Sequence, residues 1–129
     1  MTSLTVPERT NFATLEETIE RGIKTFVDVG KALTSIRDDK LYREQFATFD
    51  EYCRTRWSYE RTYVYRLMNA AETVAQIEAN PAIDELPQNE RQVRPLKKLH
   101  PDDRAEAWQE AVEESDGKVT QEKVEEVVA

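Results

Sequence analysis

With 129 residues, 39% of them hydrophobic and 34% charged, the chain suits one domain, or one compact domain with appendages, built around a modest core. Three glycines and the high charge content point to a helical, well-solvated protein, and the lack of an apolar run of about 18 residues argues against a membrane span. A single cysteine, Cys53, excludes an internal disulfide and fits a reducing cytoplasm; one Cys with one His cannot build the usual Cys/His zinc site. The start, MTSLTVPERTNF, lacks the basic-then-apolar pattern of a secretory signal.

Residues 1–11, with Pro7 and no periodicity, are expected to form a flexible arm, leaving 12–129 as a single helical domain. Thr14 and Glu17 have capping-box spacing. Leu15, Ile19, Ile23, Phe26, Val29, Leu33 and Ile36 follow at steps of three and four and predict one helix of about two dozen residues. Gly22 and Gly30 inside it suit a close helix crossing, and Asp38-Asp39 ends it. Thr48 and Glu51 form a second capping-box pattern, so Phe49 to Trp57 reads as a short helix, with Ser58 and Tyr59 as the turn.

From Glu60 or Arg61 a longer helix runs to about Ala75, with Val64, Leu67, Met68, Ala71 and Val74 as its buried stripe. Asn80-Pro81 and Leu86-Pro87 break the chain, and a short helix covers Asn89 to Arg94. Pro101 opens a helix that buries Trp108 and stops at Asp116-Gly117; Thr120 caps a last helix carrying Val124, Val127 and Val128. No segment alternates long enough for a strand. The expected fold is all-α, with five to seven helices, a central helix-turn-helix at about 48–76 and a C-terminal helical subdomain at about 88–129.

The net charge of −8 is unevenly placed. Residues 54–66 carry four arginines and one glutamate, and residues 91–104 carry five bases and two acids, so each segment is +3. Residues 105–129 carry eight acids and two bases. Phosphate binding needs local positive charge, and two basic islands supply it in an otherwise acidic chain.

The first island coincides with the two-helix motif, the layout of a DNA-reading head. Its second helix offers Arg61, Thr62, Tyr65, Arg66 and Asn69 opposite the apolar stripe. Arg can fork onto guanine, Asn onto adenine, and Thr or Tyr onto phosphate or the thymine methyl. Arg54 and Arg56 on the bracing helix would hold the backbone, while Glu60 opposes phosphate. Double-stranded DNA is the expected partner, with a homodimer reading two half-sites. The competing reading is a surface helix with solvated arginines and locally packed tyrosines.

The segments WSYERTYVYRLMNAAETV and LPQNERQVRPLKKLHPDDRAEAWQEAVEESDGKVTQEKVEEVV, in the order of their elements, resemble the helical DNA-binding domain of ParB-type partition proteins over about residues 48–128. ERQVRPLKKL stands where that family has its short helix. VGKALTSIRDDKLYREQFATFDEYCRTRW also resembles small helical proteins carried by plasmids and phages. The resemblance implies site-specific DNA binding through Arg61, Thr62, Tyr65 and Arg66, with Arg91 and Arg94 as phosphate contacts. The family's nucleotide-binding domain with its Gly-Arg-Arg-type motif has no counterpart here, so nucleotide hydrolysis and sliding are not implied.

Enzymatic chemistry is not expected, nor a cofactor or metal. His100 before Pro101 suits a helix cap, and Cys53 a small core filler. The adjacent pairs Glu16/Glu17, Glu113/Glu114 and Glu125/Glu126 point to different sides of a helix and read as solvated faces. Three isolated glycines make no phosphate-cradling loop. Trp57 and Trp108 are expected in the core, with a dimer face as the alternative for Trp108. The second functional reading is an acidic adaptor or antirepressor that binds a basic protein partner. Arginines facing one way favour DNA; arginines dispersed beneath an acidic surface favour the adaptor.

Overall fold

A computed structural model describes residues 3–20, 26–116 and 118–129. Among them the chain is all-helical, without a strand: α1 (Val6–Glu20), α2 (Phe26–Asp38), α3 (Phe49–Trp57), α4 (Arg61–Glu78), α5 (Glu90–Val93), a 3-10 turn (Arg94–Lys98), α6 (Pro101–Ser115) and α7 (Gln121–Val128). The all-α class and the helix number agree with the sequence. No helix among the described residues is long and apolar enough to cross a membrane. The chain divides within α4 into two compact units, Met1–Met68 and Asn69–Ala129, where the sequence suggests one domain from residue 12.

In the first unit, helix begins well inside the segment expected as an arm. Thr5 Oγ1 accepts from Glu8 N–H at 3.2 Å, and the Glu8 carboxylate accepts from Thr5 N–H at 2.9 Å, a reciprocal capping box. Pro7 sits in the first turn, where its missing N–H has no partner to lose. Leu4 is buried, and its N–H donates to Glu44 at 2.7 Å. Arg43 donates to both Glu8 oxygens, at 2.7 and 3.1 Å, and to the Ser3 carbonyl at 3.0 Å. That guanidinium holds the Glu8 carboxyl down at about 2.

Thr14 is not a cap. It lies within α1, and its hydroxyl donates to the Thr10 carbonyl at 3.0 Å. Within residues 1–20 the T-x-x-E spacing occurs twice, and of these two only Thr5–Glu8 meets the free N–H groups of a helix start. The long helix expected over residues 14–38 is two helices: α1 and α2 pack against each other, which two stretches of one straight helix cannot do. Ile19 and Phe26 keep phase across the interruption, so periodicity alone does not reveal it. Gly22 and Ile23 lie outside the described residues; Gly30 is buried on α2.

Lys40 takes φ 51°, and Leu41 N–H returns to the Ile36 carbonyl at 3.0 Å, so α2 ends at Asp38. Leu33, Ile36, Leu41, Phe49, Tyr52, Cys53, Val64 and Leu67 are buried in this unit's core. Burial pushes the Cys53 thiol up to about 12, which fits the expected core filler.

In the second unit, side-chain caps start α5, α6 and α7. Asn89 and Gln92 form a capping box at α5, and the short helix expected to reach Arg94 continues instead as the 3-10 turn. His100 Nδ1 accepts from Asp102 N–H at 3.2 Å and caps α6. Asp116 ends α6 at φ 54°; Gly117, expected to contribute to that stop, lies outside the described residues. Thr120 accepts from Lys123 N–H at 3.1 Å and caps α7. Trp108 is fully buried, its indole N–H donating to the Glu85 carbonyl at 2.8 Å, so it belongs to the core rather than to an exposed dimer face.

Candidate nucleic-acid interface

The α3–turn–α4 segment forms where the sequence places it. Thr48 Oγ1 accepts from Glu51 N–H at 3.1 Å and starts α3. Ser58 closes it in the left-handed region at φ 61°, ψ 32°. Ser58 N–H reaches the Arg54 carbonyl and Tyr59 N–H the Cys53 carbonyl, both at 3.1 Å. Glycine is the usual residue in this conformation, and a Cβ there costs roughly 1–2 kcal/mol. The reversal leaves α4 to start three residues after Ser58, with the Glu60 carbonyl accepting from Val64 N–H at 3.1 Å.

On α4, Val64 and Leu67 are buried, as are Ala71 and Val74 beyond the unit division. At 3.6 residues per turn, Arg61, Tyr65, Asn69, Thr62 and Arg66 cover an arc of about 140° centred opposite that stripe. Arg61, Thr62 and Arg66 are exposed, and Tyr65 and Asn69 are half-buried. The polar arc stops at Thr73, which is buried and donates to the Asn69 carbonyl at 2.9 Å. The five expected reading residues therefore share one face of one helix.

The arginines differ in what already holds them. Arg56 Nε lies 3.3 Å from Glu16, its Nη2 is bonded to Glu20, and its guanidinium covers the Trp57 ring at 3.9 Å. Trp57 N–H donates to Tyr52 OH at 2.9 Å, and that hydroxyl donates to Glu16 at 3.0 Å. Burial raises the Tyr52 pKa, keeping the phenol protonated as a donor. Arg56 is thus committed to α1. Arg61 Nη1 bonds Asp50 Oδ2 at 2.6 Å, and that bond raises the Arg61 pKa. Arg54 and Arg66 form no ion pair among the described residues. Beside the arc, Tyr59 stacks on Trp57 and meets Tyr63 edge-on at 5.0 Å; Tyr63 is 47% exposed.

Arg91 and Arg94 belong to the second unit. Arg94 is chelated by Glu90 at 2.6 and 2.8 Å, and Arg91, Lys97 and Lys98 are exposed. Arg104, counted among the bases of the second island, is buried. It donates to the carbonyls of Leu96, Lys97 and Leu99 and to Gln76, all at 3.1–3.2 Å. The Glu90–Arg94 pair has i,i+4 spacing and is legible in sequence. Asp50 and Glu20 act on arginines eleven and thirty-six residues away, and no local pattern announces them. Neither a family model, nor a curated protein, nor a solved structure matches this chain.

Proposed function

We propose that this chain is a sequence-specific DNA-binding protein that lays α4 in the major groove, as a transcriptional regulator or partition-like factor of the kind plasmids, phages and other mobile elements carry. The observation that carries this reading is the polar arc Arg61, Thr62, Tyr65, Arg66 and Asn69, presented on one face of a helix that follows a short capped helix and a tight left-handed turn. Arg66, unpaired among the described residues, is the base-reading candidate; Arg54, likewise unpaired among them, is the backbone contact, and Arg56 a brace between α3 and α1. Arg91 in the second unit is a further phosphate contact. The likeness to the ParB-type DNA-binding domain supports site-specific binding only. A homodimer would supply the second half-site that one helix lacks.

One observation favours the adaptor reading: Arg56, Arg61 and Arg94 are already paired with carboxylates, and α6 exposes Asp102, Glu106, Glu110 and Glu113. Selection from a random pool of duplex DNA with purified protein at low salt separates the two. DNA reading yields an enriched motif. No enrichment, with capture of a basic protein partner abolished by charge reversal at Glu110, Glu113 and Glu114, replaces it with the adaptor.

A further inference from the structure

We propose that Asp50 is a specificity-determining positioning residue: it fixes the Arg61 guanidinium so that the pair, rather than Arg61 alone, reads one base pair. This rests on the DNA-reading function above. The start of α3 supplies the parts that hold Arg61 and Tyr65 of α4. Thr48 caps that start. Phe49 is buried and meets the Tyr65 ring edge-on, centroids 6.5 Å apart at 90°, which anchors Tyr65. The Arg61 guanidinium lies 4.7 Å from the centroid of that anchored ring, and its Nη1 is held by Asp50, the residue beside Phe49.

A ring on one side and a carboxylate on one edge bias the guanidinium toward one orientation before any ligand arrives. Nε and Nη2 have no acceptor among the described residues, and the Arg61 side chain is 68% exposed, so the remaining donors are available to a base edge. A free surface arginine loses rotamer freedom on binding; one already biased toward a single orientation has less to lose. An exposed ion pair is too weak to keep Arg61 from a phosphate, so positioning rather than autoinhibition is its effect. The Asp50 charge also repels the duplex backbone at sites where Arg61 finds no base to fork onto. That lowers binding to wrong sequences more than to the right one.

The test uses the full chain and the duplex site obtained by selection with the unmodified protein. Asp50→Ala should raise affinity for unrelated duplex about threefold and lower the specific-to-unrelated ratio about tenfold, with the base preference lost at one position. Asp50→Asn, which keeps an acceptor oxygen, should share the rise on unrelated duplex yet retain most of that preference. Asp50→Ser, whose side chain is one atom too short to reach Arg61 as the carboxylate does, should repeat the alanine result and replaces it if the alanine variant fails to fold. Arg61→Ala should lose the same base preference, and adding Asp50→Ala to it should remove nothing more. In the free protein, the Arg61 Nε–H order parameter should fall in Asp50→Ala. Tighter binding of Asp50→Ala to every sequence with unchanged base preference overturns the proposal, as does a double variant whose loss of base preference exceeds that of Arg61→Ala. Failure of the unmodified protein to select any sequence removes the DNA reading and this inference together; the other two outcomes remove the inference alone.

Discussion

The two basic islands have the same net charge in sequence and different fates in the fold. In residues 54–66 all four arginines are exposed, though Arg56 and Arg61 each hold a carboxylate. In residues 91–104 one arginine is chelated by Glu90 of the preceding short helix and another is buried as a structural staple, leaving Arg91, Lys97 and Lys98 at the surface. A segment's net charge therefore overstates the charge offered to a partner. What decides is whether an arginine meets a nearer acceptor first: a carboxylate at the surface, or main-chain carbonyls inside.

The largest test of that contrast is Arg104→Ala. It strips donors from three main-chain carbonyls and Gln76 in a buried site, so the unit should lose about 3 kcal/mol. Arg54→Ala, at an exposed unpaired site, should stay within about 0.5 kcal/mol. Chemical denaturation followed by circular dichroism compares them directly, and equal losses would erase the distinction between staple and surface charge.

Ser58→Gly probes the turn that presents the first island. Removing the Cβ at φ 61° should stabilise the folded state by up to about 1 kcal/mol, less than the full strain because glycine also frees the unfolded chain. A fall in stability would mean that the turn depends on the serine itself.

The smallest effect is acid-dependent. Glu8 is held at about 2, below its ordinary 4.5, so the folded state binds its proton more weakly than the unfolded chain does. The Glu8–Arg43 contribution is therefore complete above pH 4.5 and is lost as pH falls toward about 2. The difference in stability between the unmodified chain and Glu8→Gln should shrink across that window. A difference independent of pH would show that the pair does not anchor α1.

Short-range chemistry made much of the fold legible. The Thr48 cap, the Ser58 turn, the Asp38 stop, the His100 cap and the Thr120 cap each need only a few neighbouring residues, and the sequence places them correctly. The division between α1 and α2 was hidden because the apolar stripe stays in phase through it. Thr5 was hidden behind Pro7, which reads as a breaker yet suits a first helical turn. For the candidate interface, helical geometry placed the five-residue arc on α4. Its electrostatic state was not legible, because Asp50, Glu16 and Glu20 reach their arginines only once the chain has folded.

The central claim is that α4 reads bases while α3 holds the backbone, and Arg66→Ala against Arg54→Ala tests it most directly. On the selected duplex, titrated across a salt series, Arg66→Ala should weaken specific binding by about 1–3 kcal/mol and relax preference at one base pair. Arg54→Ala should weaken all sequences alike and lower the log–log salt slope by about 1. Base preference and salt slope both unchanged in the two variants would contradict the account.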